Sequence, residues 1–346
     1  MKNWVKKLAI GVALPGMLIL GGCGATKTGG SEKGGIQERT IKAGIGLNED
    51  HPEGQGLKKF KELVEKKSGG KMKVQNFYSA TLGDDQKMTE ALQGGLQEVT
   101  IPSTSPLVGM IKEYGIFDFP FVFNTEQEAY SVLDGKVGQE LLKKLPEHKL
   151  VGLGYWENGF RNLTNSKHPV KTAEDFKGLK IRTMQNEVHL DAFKKLGANP
   201  SPMAFSEVFT ALEGKTVDGQ ENPLATIKSS KYDEVQPYLS MTKHVYTPFV
   251  FLVSKQFWDK LSKEEQKIMR DSAQEAGKYQ RDLNRKENEK ALEDLKKAGM
   301  KVNEVSDAEK EKMKEIVKPV TDKYAKKFGQ DLVDEMMSEV EKARKK

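Results

Sequence analysis

The sequence predicts an α/β protein built from two lobes with a cleft between them. Three observations support this prediction: strand-like and helix-like segments alternate along the chain, roughly 310 residues of folded chain exceed one typical core, and one predicted helix is too long for a single lobe. Small ligands bind preferentially in clefts between domains, so we expect the functional site there.

The first 22 residues are predicted to be a lipoprotein signal peptide. A lysine-bearing start precedes the apolar stretch 8–20, which is too short to span a bilayer, and the four residues ending at Cys23 resemble a bacterial lipobox. Cys23 is the only cysteine of the chain, so lipidation explains it better than disulfide or redox chemistry. The alternative is an ordinary cleaved signal with an incidental cysteine. We expect an extracytoplasmic protein, lipid-anchored at the outer face of the cell membrane or periplasmic.

Residues 23–37 are predicted to be a flexible tether, because glycine, serine, threonine and lysine dominate them. Without residues 1–22 the chain loses three lysines and keeps 53 basic against 50 acidic residues, a formal charge of +3. Lysines and glutamates interleave along most segments, which argues against a nucleic-acid partner.

The folded part opens with a β-α unit. Apolar residues alternate over 40–47 and recur at helical spacing over 52–68, where two glycines end the helix. The same reading predicts a helix at 84–93 and further strands at 72–78, 97–102, 149–156, 179–183 and 245–254. Strands separated by helices favour a sheet with mainly parallel pairing.

One long helix is predicted from Lys263 to Ala298. Ser262 and Glu265 form a capping-box motif at its start, and without a proline the run would extend about 54 Å. Residues 284–290 contain no apolar side chain, which is typical of a helix that bridges two domains through solvent. The alternative is two helices broken near Gly277, since an interior glycine costs only ~1 kcal/mol. Two charged amphipathic helices are predicted after it, packed against a lobe.

Two arginines are candidate ligand residues. Only seven of the 56 basic residues are arginine, and Arg161 and Arg182 lie in short polar or strand-like stretches near glycines. A planar guanidinium makes two parallel hydrogen bonds to one carboxylate, which lysine cannot do. Arg182 falls at the exit of a predicted strand, where open α/β sheets place ligand residues. We therefore predict a clamp for a small anion.

A third polar element is the predicted turn at 218–223. Pro223 is expected to be the first residue of a helix that runs to Ser229, with Asn222 as its N-cap. Asn222 then either caps the helix alone or also offers its amide and the positive end of the helix dipole to an anion.

No reactive constellation indicates an enzyme. The sequence lacks a nucleophile elbow, a zinc-protease motif and a phosphate loop, and its five histidines are scattered, so we predict no catalytic residue, cofactor or metal. Gly152 and Gly154 follow a strand, but the spacing to Gly159 fails the dinucleotide fingerprint. The enzymatic alternative is a carboxylate-metabolising lyase or isomerase. An adhesive lipoprotein would show repeats or large apolar faces, and the sequence has neither.

Several short segments, each weakly diagnostic alone, form a specific set through their order and spacing. Besides the two arginine segments they are Ser68–Lys71, Leu82–Asp85, Phe119–Phe121, Gly197–Val208 and Asp218–Pro223. Over residues 38–330 this set resembles the extracytoplasmic solute-binding proteins of TRAP (tripartite ATP-independent periplasmic) transporters, DctP type.

The resemblance implies a periplasmic-binding-protein-like clamshell that closes on its ligand, with the long helix crossing both lobes. It implies that Arg182 holds the ligand carboxylate in a bidentate pair and that Arg161 is a second, partly water-mediated arginine. Asn222 would complete carboxylate recognition, and the ring of Phe205 would pack against the ligand body.

The other lobe's contribution is less defined by the resemblance. Ser103 stands where sialic-acid binders of the family have a glutamate, which argues against sialic acid as the ligand. His51, Asp85 and Ser103 are candidates at the rim of the site. The lobes are predicted to comprise 38–158 plus 248–287 and 159–247 plus 288–346.

The implied function is capture of a small organic carboxylate, a C4-dicarboxylate or a sugar acid, for delivery to a TRAP-type secondary transporter. Its partners would be the small and large membrane subunits of that transporter, which an ion gradient drives. We expect a monomer that contacts the membrane by its lipid anchor only.

Overall fold

The computed structural model describes residues 35–345, so the predicted signal peptide, Cys23 and most of the predicted tether lie outside the described residues. Strands are β1 (Arg39–Gly44), β2 (Met72–Phe77), β3 (Val99–Thr100), β4 (Leu150–Asn165), β5 (Lys180–Thr183), β6 (Asn199–Pro202), β7 (Gly219–Asn222), β8 (Tyr238–Ser254) and β9 (Lys301–Glu304). Helices are α1 (Pro52–Lys67), α2 (Asp85–Gln93), α3 (Glu126–Leu133), α4 (Lys136–Lys144), α5 (Glu187–Lys195), α6 (Val208–Glu213), α7 (Leu224–Ser229), α8 (Lys255–Trp258), α9 (Lys263–Lys297), α10 (Asp307–Phe328) and α11 (Gln330–Arg344). Within 35–345, none of the helices combines the length and apolar character needed to cross a bilayer.

The strands form one mixed sheet in the order β2-β1-β3-β8-β4-β7-β5-β6, with β9 also pairing with β8. At each end of the sheet the neighbours are parallel, as the alternating strands and helices predict. The expectation of mainly parallel pairing is nevertheless wrong at the centre. There the long strands β4 and β8 run antiparallel, from Leu150 opposite Ser254 to Asn165 opposite Tyr238. Both strands run through the centre of the sheet, between its two parallel ends, and they run in opposite directions. One long antiparallel ladder therefore joins β4 to β8.

The predicted elements agree with the structure over the opening β-α unit, but both central strands are longer than expected. The strand predicted at 149–156 continues to Asn165, and the one predicted at 245–254 begins at Tyr238. Register shifts interrupt the β4–β8 ladder at three places, one of them between Glu157 and Gly159. Bulges of this kind break the alternation of apolar residues, and so the strands predicted from that alternation are too short.

Helix α9 is continuous, and its predicted capping box is present between Ser262 and Glu265. The alternative of a break near Gly277 is wrong. Gly277 faces the indole of Trp156, where an added Cβ would lie 2.7 Å from Nε1, so the glycine permits close packing rather than a kink. The first half of α9 packs into the core beneath β1 and β2, whereas Ala291 and Leu295 belong to a separate core with residues of α6, α7 and β8.

The polar middle of α9 does not cross open solvent, and that expectation is wrong. Asn284 is fully buried and donates from Nδ2 to the carbonyl oxygen of Asn158 at 3.1 Å. One turn earlier, Gln280 exchanges two hydrogen bonds with the backbone of Glu157, of 2.9 and 2.7 Å. The bulge in β4 leaves these backbone groups unpaired in the sheet, and the amides of α9 satisfy them.

The two predicted C-terminal helices are confirmed as α10 and α11. Tyr324, Phe328 and Met336 are buried in a core shared with α3 and α4. These helices therefore pack with α3 and α4 through their apolar faces, while the division into two lobes and its boundaries stay a prediction.

Candidate ligand-binding site

A cavity lies between the two ends of the sheet, where α1, α2, β5, β7 and the centre of β4 approach one another. Its volume of about 50 Å³ is several times the roughly 10 to 15 Å³ that one water molecule needs. Six of the seven side chains predicted for the ligand site line it, and they are Asp85, Ser103, Arg161, Arg182, Phe205 and Asn222. The seventh, His51, is buried beside the cavity but does not line it.

Arg182 is held in place by the backbone and keeps one nitrogen free. It is the third residue of β5, between Ser201 of β6 and Gln220 of β7, and is 2 % exposed. Its Nε and Nη2 both donate to the carbonyl oxygen of Met203, at 3.1 and 2.7 Å, while the buried Nη1 has no partner. Burial lowers the pKa of Arg182 to about 10, so the guanidinium is still charged at neutral pH. Its Nη1 side is the edge left for an anion.

Arg161, by contrast, already has an anionic partner. Its Nε donates to Oε2 of Glu221 at 2.5 Å and its Nη2 to Oε1 at 2.9 Å, so one carboxylate fills the fork. Both side chains are buried, and Nε2 of His244 lies 3.1 Å from the same carboxylate. Burial by itself would raise the pKa of Glu221, but the Arg161 charge and the His244 hydrogen bond outweigh it and hold that pKa well below its usual range.

Glu221 was not among the predicted site residues. Its signal in the sequence is indirect: a buried arginine requires a buried acid nearby, and Glu221 lies in the polar segment already singled out at 218–223. The pairing of β4 with β7, which places Leu163 opposite Glu221, brings the acid to Arg161. That pairing joins segments about sixty residues apart and is not visible in a local pattern.

Asn222 lines the cavity, but its predicted N-cap role is wrong. It is the last residue of β7, paired with Asn162 of β4, and Pro223 is the cap of α7. The side chain of Asn288 on α9 accepts from the backbone N–H of Ala225 at 3.0 Å and so supplies the cap from elsewhere. The Nδ2 of Asn222 donates to Gln220 at 2.6 Å, and its second N–H leaves the amide able to donate to a ligand.

The opposite wall of the cavity is acidic. The backbone N–H of Ser103 donates to Oδ2 of Asp85 at 3.1 Å, and the Ser103 hydroxyl has no partner. Burial raises the pKa of Asp85 to about 7, against the opposing effect of the Ser103 hydrogen bond. Glu53, in the first turn of α1, also lines the cavity; it is 1 % exposed, and neither carboxyl oxygen has a hydrogen-bond partner. Burial, with the neighbouring Asp85, raises the pKa of Glu53 well above its usual range.

His51 has a structural role at the start of α1. Its Nδ1 accepts from the backbone N–H of Glu53 at 3.0 Å, which caps the helix, and its Nε2 lies 3.1 Å from the hydroxyl of Thr226 in α7. Burial lowers the pKa of His51 to about 3, so the ring is neutral. Nearby, Asn48 donates to the carbonyl oxygen of Ser229 at 2.8 Å, a second bond between the two sides of the cavity.

Phe205 lies at the edge of the cavity, with its ring 6.5 Å from that of Tyr232. Together with Met184 and Phe249 it gives the cavity an apolar surface beside the charged groups. Across residues 35–345, no group of three or more His, Cys, Asp or Glu side chains is placed to hold a metal ion.

Comparison with known proteins gives a consistent result. A family model described as bacterial extracellular solute-binding protein, family 7 (DctP), matches residues 43–327. The sugar acid binding protein DctPAm of Advenella mimigardefordensis, solved in complex with galactonate, is 48% identical, with a TM-score of 0.88 and coverage of 89% of this chain and 99% of that chain. A TRAP periplasmic solute-binding protein of Polaromonas sp. JS666, bound to D-erythronate, is 42% identical, with a TM-score of 0.84 and coverage of 87% and 98%.

Among curated relatives, the C4-dicarboxylate-binding protein DctB of Bacillus subtilis is 35% identical over 305 residues, 88% of this chain and 87% of that protein. The 2,3-diketo-L-gulonate-binding periplasmic protein YiaO of Escherichia coli is 39% identical over 267 residues, 77% of this chain and 81% of its own length.

Proposed function

Because this chain belongs to the bacterial extracellular solute-binding proteins of family 7, the DctP type of TRAP transporters, we propose that its cavity captures the carboxylate of a small organic acid through Arg182. The fold is the two-lobe α/β clamshell of that family, with α9 spanning both lobes. Galactonate, D-erythronate and C4-dicarboxylates, the ligands of the related proteins described above, all contain a carboxylate group.

The observation that carries the proposal is the free Nη1 of Arg182. Among the described residues it is the one buried guanidinium nitrogen without a hydrogen-bond partner. An unmatched buried donor costs about 1 to 3 kcal/mol, which a ligand carboxylate would recover. Charge-assisted hydrogen bonds contribute about 1.5 to 3 kcal/mol each, so the bonds from Nη1 of Arg182 and from the Asn222 amide would together supply about half of the ~8 kcal/mol of micromolar binding.

The protein would then act outside the cytoplasm as the binding component of a secondary transporter. We propose that it hands its ligand to the small and large membrane subunits of a TRAP transporter, and that lipidated Cys23 holds it at the membrane. Labelling with a radioactive fatty acid in cells tests the anchor: incorporation into the wild type and none into Cys23→Ser is expected, and equal labelling of both would reject it.

We further propose that the protein does no chemistry on its ligand. Its family consists of binding proteins, which supports this. Incubation with galactonate should leave the sugar acid unchanged by mass spectrometry. Turnover that disappears in a cavity variant would instead favour the lyase or isomerase alternative.

Native mass spectrometry of the purified protein tests the function directly. A clamp that excludes water should retain an organic acid from the expression host, seen as a mass above the apo protein that is lost on denaturation. Arg182→Lys purified in parallel should carry less of it, and the exposed Arg285→Lys should carry as much as the wild type. A protein that retains no acid, and binds none from a panel of carboxylates in calorimetry, would contradict the proposal.

A further inference from the structure

The cavity contains more unmatched hydrogen-bonding groups than a single carboxylate can satisfy. Besides Nη1 of Arg182, the buried atoms without partners include both carboxyl oxygens of Glu53, the hydroxyl of Ser103 and Oδ1 of Asn158. All four residues line the cavity. Buried polar groups in folded proteins are nearly always hydrogen-bonded. Several unpartnered polar atoms on residues that line one cavity therefore indicate which hydrogen-bonding groups the ligand carries.

The two arginines of the cavity also differ in whether the protein supplies a counter-charge. Its lining includes two arginines and three acidic residues, Glu53, Asp84 and Asp85, and no lysine. Since Glu221 already neutralises Arg161, one guanidinium remains for an anionic ligand. A second ligand carboxylate would find no further cationic partner among the residues that line the cavity, so its burial would be unfavourable.

We infer that the cavity selects a polyhydroxylated monocarboxylate, with its carboxylate on Arg182 and its hydroxyl groups hydrogen-bonded to the carboxyl groups of Glu53 and Asp85. This inference rests on the proposed function and narrows it from organic acids to sugar acids. A hydroxyl both donates and accepts, so it can satisfy the orphan oxygens of Glu53 and Asn158 and the hydroxyl of Ser103. Apart from the carboxylate bound to Arg182, a dicarboxylate offers only hydrogen-bond acceptors, and an alkanoate offers no polar group.

The protonation of the two carboxyl groups is consistent with this role. Burial raises the pKa of Asp85 to about 7 and that of Glu53 well above its usual range. At neutral pH a buried carboxyl that keeps its proton offers one donor and one acceptor, which matches the dual character of a hydroxyl.

Glu53 is placed for binding rather than for stability. Its side-chain oxygens make no hydrogen bond within the protein, although its backbone N–H takes part in the cap of α1. Removing an unpaired buried carboxyl should leave the empty protein as stable or make it more stable, while binding becomes weaker. A residue with a purely structural role would lose stability when it is replaced.

A calorimetric titration with matched ligands tests the selection. D-galactonate is compared with hexanoate, and D-erythronate with butanoate, so that each pair shares its carbon number and differs in hydroxyl groups; succinate represents dicarboxylates. We expect the better of the two hydroxylated acids to bind at least a hundredfold more tightly than its matched alkanoate and at least tenfold more tightly than succinate, because sites built around hydroxyl groups strongly reject analogues that lack them. Equal binding of all the acids, or tightest binding of succinate, overturns this inference alone, whereas binding of none also rejects the proposed function.

Variants of Glu53 provide the second arm of the experiment. Glu53→Leu, which removes both oxygens, should weaken binding of the preferred hydroxylated acid at least tenfold. Glu53→Gln, which keeps the shape together with a donor and an acceptor, should weaken it much less, and both variants should alter binding of the matched alkanoate less than threefold. The melting temperature of both unliganded variants should equal or exceed that of the wild type. Glu62→Gln, exposed on the same helix, is the control and should change neither quantity. Unchanged binding of the hydroxylated acid in folded Glu53→Leu, or a lower melting temperature of that variant with equal loss for both ligands, overturns the inference.

Discussion

Glu221 occupies the guanidinium fork of Arg161 in the interior of the protein, at 2.5 Å from Nε and 2.9 Å from Nη2. The two arginines of the cavity therefore have different electrostatic roles. Arg161 and Glu221 form an internal ion pair that shapes the wall, whereas Arg182 is fixed by a neutral carbonyl group and keeps its charge for the ligand. A cavity with one open guanidinium is suited to one carboxylate.

Breaking this ion pair should destabilise the protein strongly. Glu221→Gln leaves the Arg161 charge buried without a counter-charge, for which we expect a loss of about 3 to 5 kcal/mol in the free energy of unfolding, measured by urea denaturation without ligand. The double variant Arg161→Met with Glu221→Met should recover much of that loss, because it buries no charge. A double variant less stable than Glu221→Gln would contradict this account of the pair.

Replacing Arg182 by lysine should weaken ligand binding at least tenfold. The variant keeps a positive charge but loses the planar fork and both bonds to Met203 that orient it. Calorimetry with a ligand of the wild type measures the effect, and Arg285→Lys, exposed on α9, is the matched control. Equal affinity of Arg182→Lys and the control would show that the guanidinium of Arg182 does not hold the ligand.

The contribution of Asp85 to the stability of the unliganded protein should decrease as the pH rises from about 4 to about 7. Folded Asp85 holds its proton up to about pH 7, whereas the unfolded carboxyl releases it near pH 4, so the folded state binds more protons in between and the free energy of unfolding falls as the pH rises. Asp85→Asn lacks this contribution, and its stability relative to the wild type should increase between about pH 4 and pH 7 and then level off. Urea denaturation at several pH values checks the slope, and a constant difference would contradict the raised pKa.

Gly277→Ala should destabilise the protein although alanine is the better helix former. The gain in helix propensity is about 1 kcal/mol, but the added Cβ would lie 2.7 Å from Nε1 of the buried Trp156, and overpacking of this kind costs about 1 to 3 kcal/mol. We expect a lower melting temperature by circular dichroism. Lys278→Ala, exposed on the next position, should leave it unchanged or slightly higher. A rise for Gly277→Ala would mean that α9 does not press against β4 there.

Ligand binding should favour the closed form of the clamshell. The bonds from His51 to Thr226 and from Asn48 to Ser229 join the two sides of the cavity, and a ligand between them adds further contacts that exist only when it is closed. Small-angle scattering should show a smaller radius of gyration with saturating ligand than without it. Identical scattering curves would contradict closure.

Local patterns predicted most of the fold and one side of the site. The spacing of apolar residues indicated the opening β-α unit and α9. The unusual use of arginine indicated Arg182, because the choice of guanidinium over ammonium is a property of a single position.

The remaining features depend on contacts between distant segments. Glu53 has the sequence signature of an ordinary acidic residue in the first turn of a helix, and it becomes a candidate site residue only because the fold buries it beside the cavity. Glu221 is identified by its contact with Arg161, sixty residues away. The sequence predicted that the polar middle of α9 is solvated. Its amides instead bind backbone groups at the bulge in β4, and that bulge arises from the pairing of β4 with β8, which a local pattern does not reveal.

A crystal structure with a bound sugar acid such as galactonate tests the central claim most directly. We predict that one ligand carboxylate oxygen lies within hydrogen-bond distance of Nη1 of Arg182, with ligand hydroxyl groups on the carboxyl of Glu53. A ligand whose carboxylate lies away from Arg182, with Nη1 facing water or another protein group, would contradict the account.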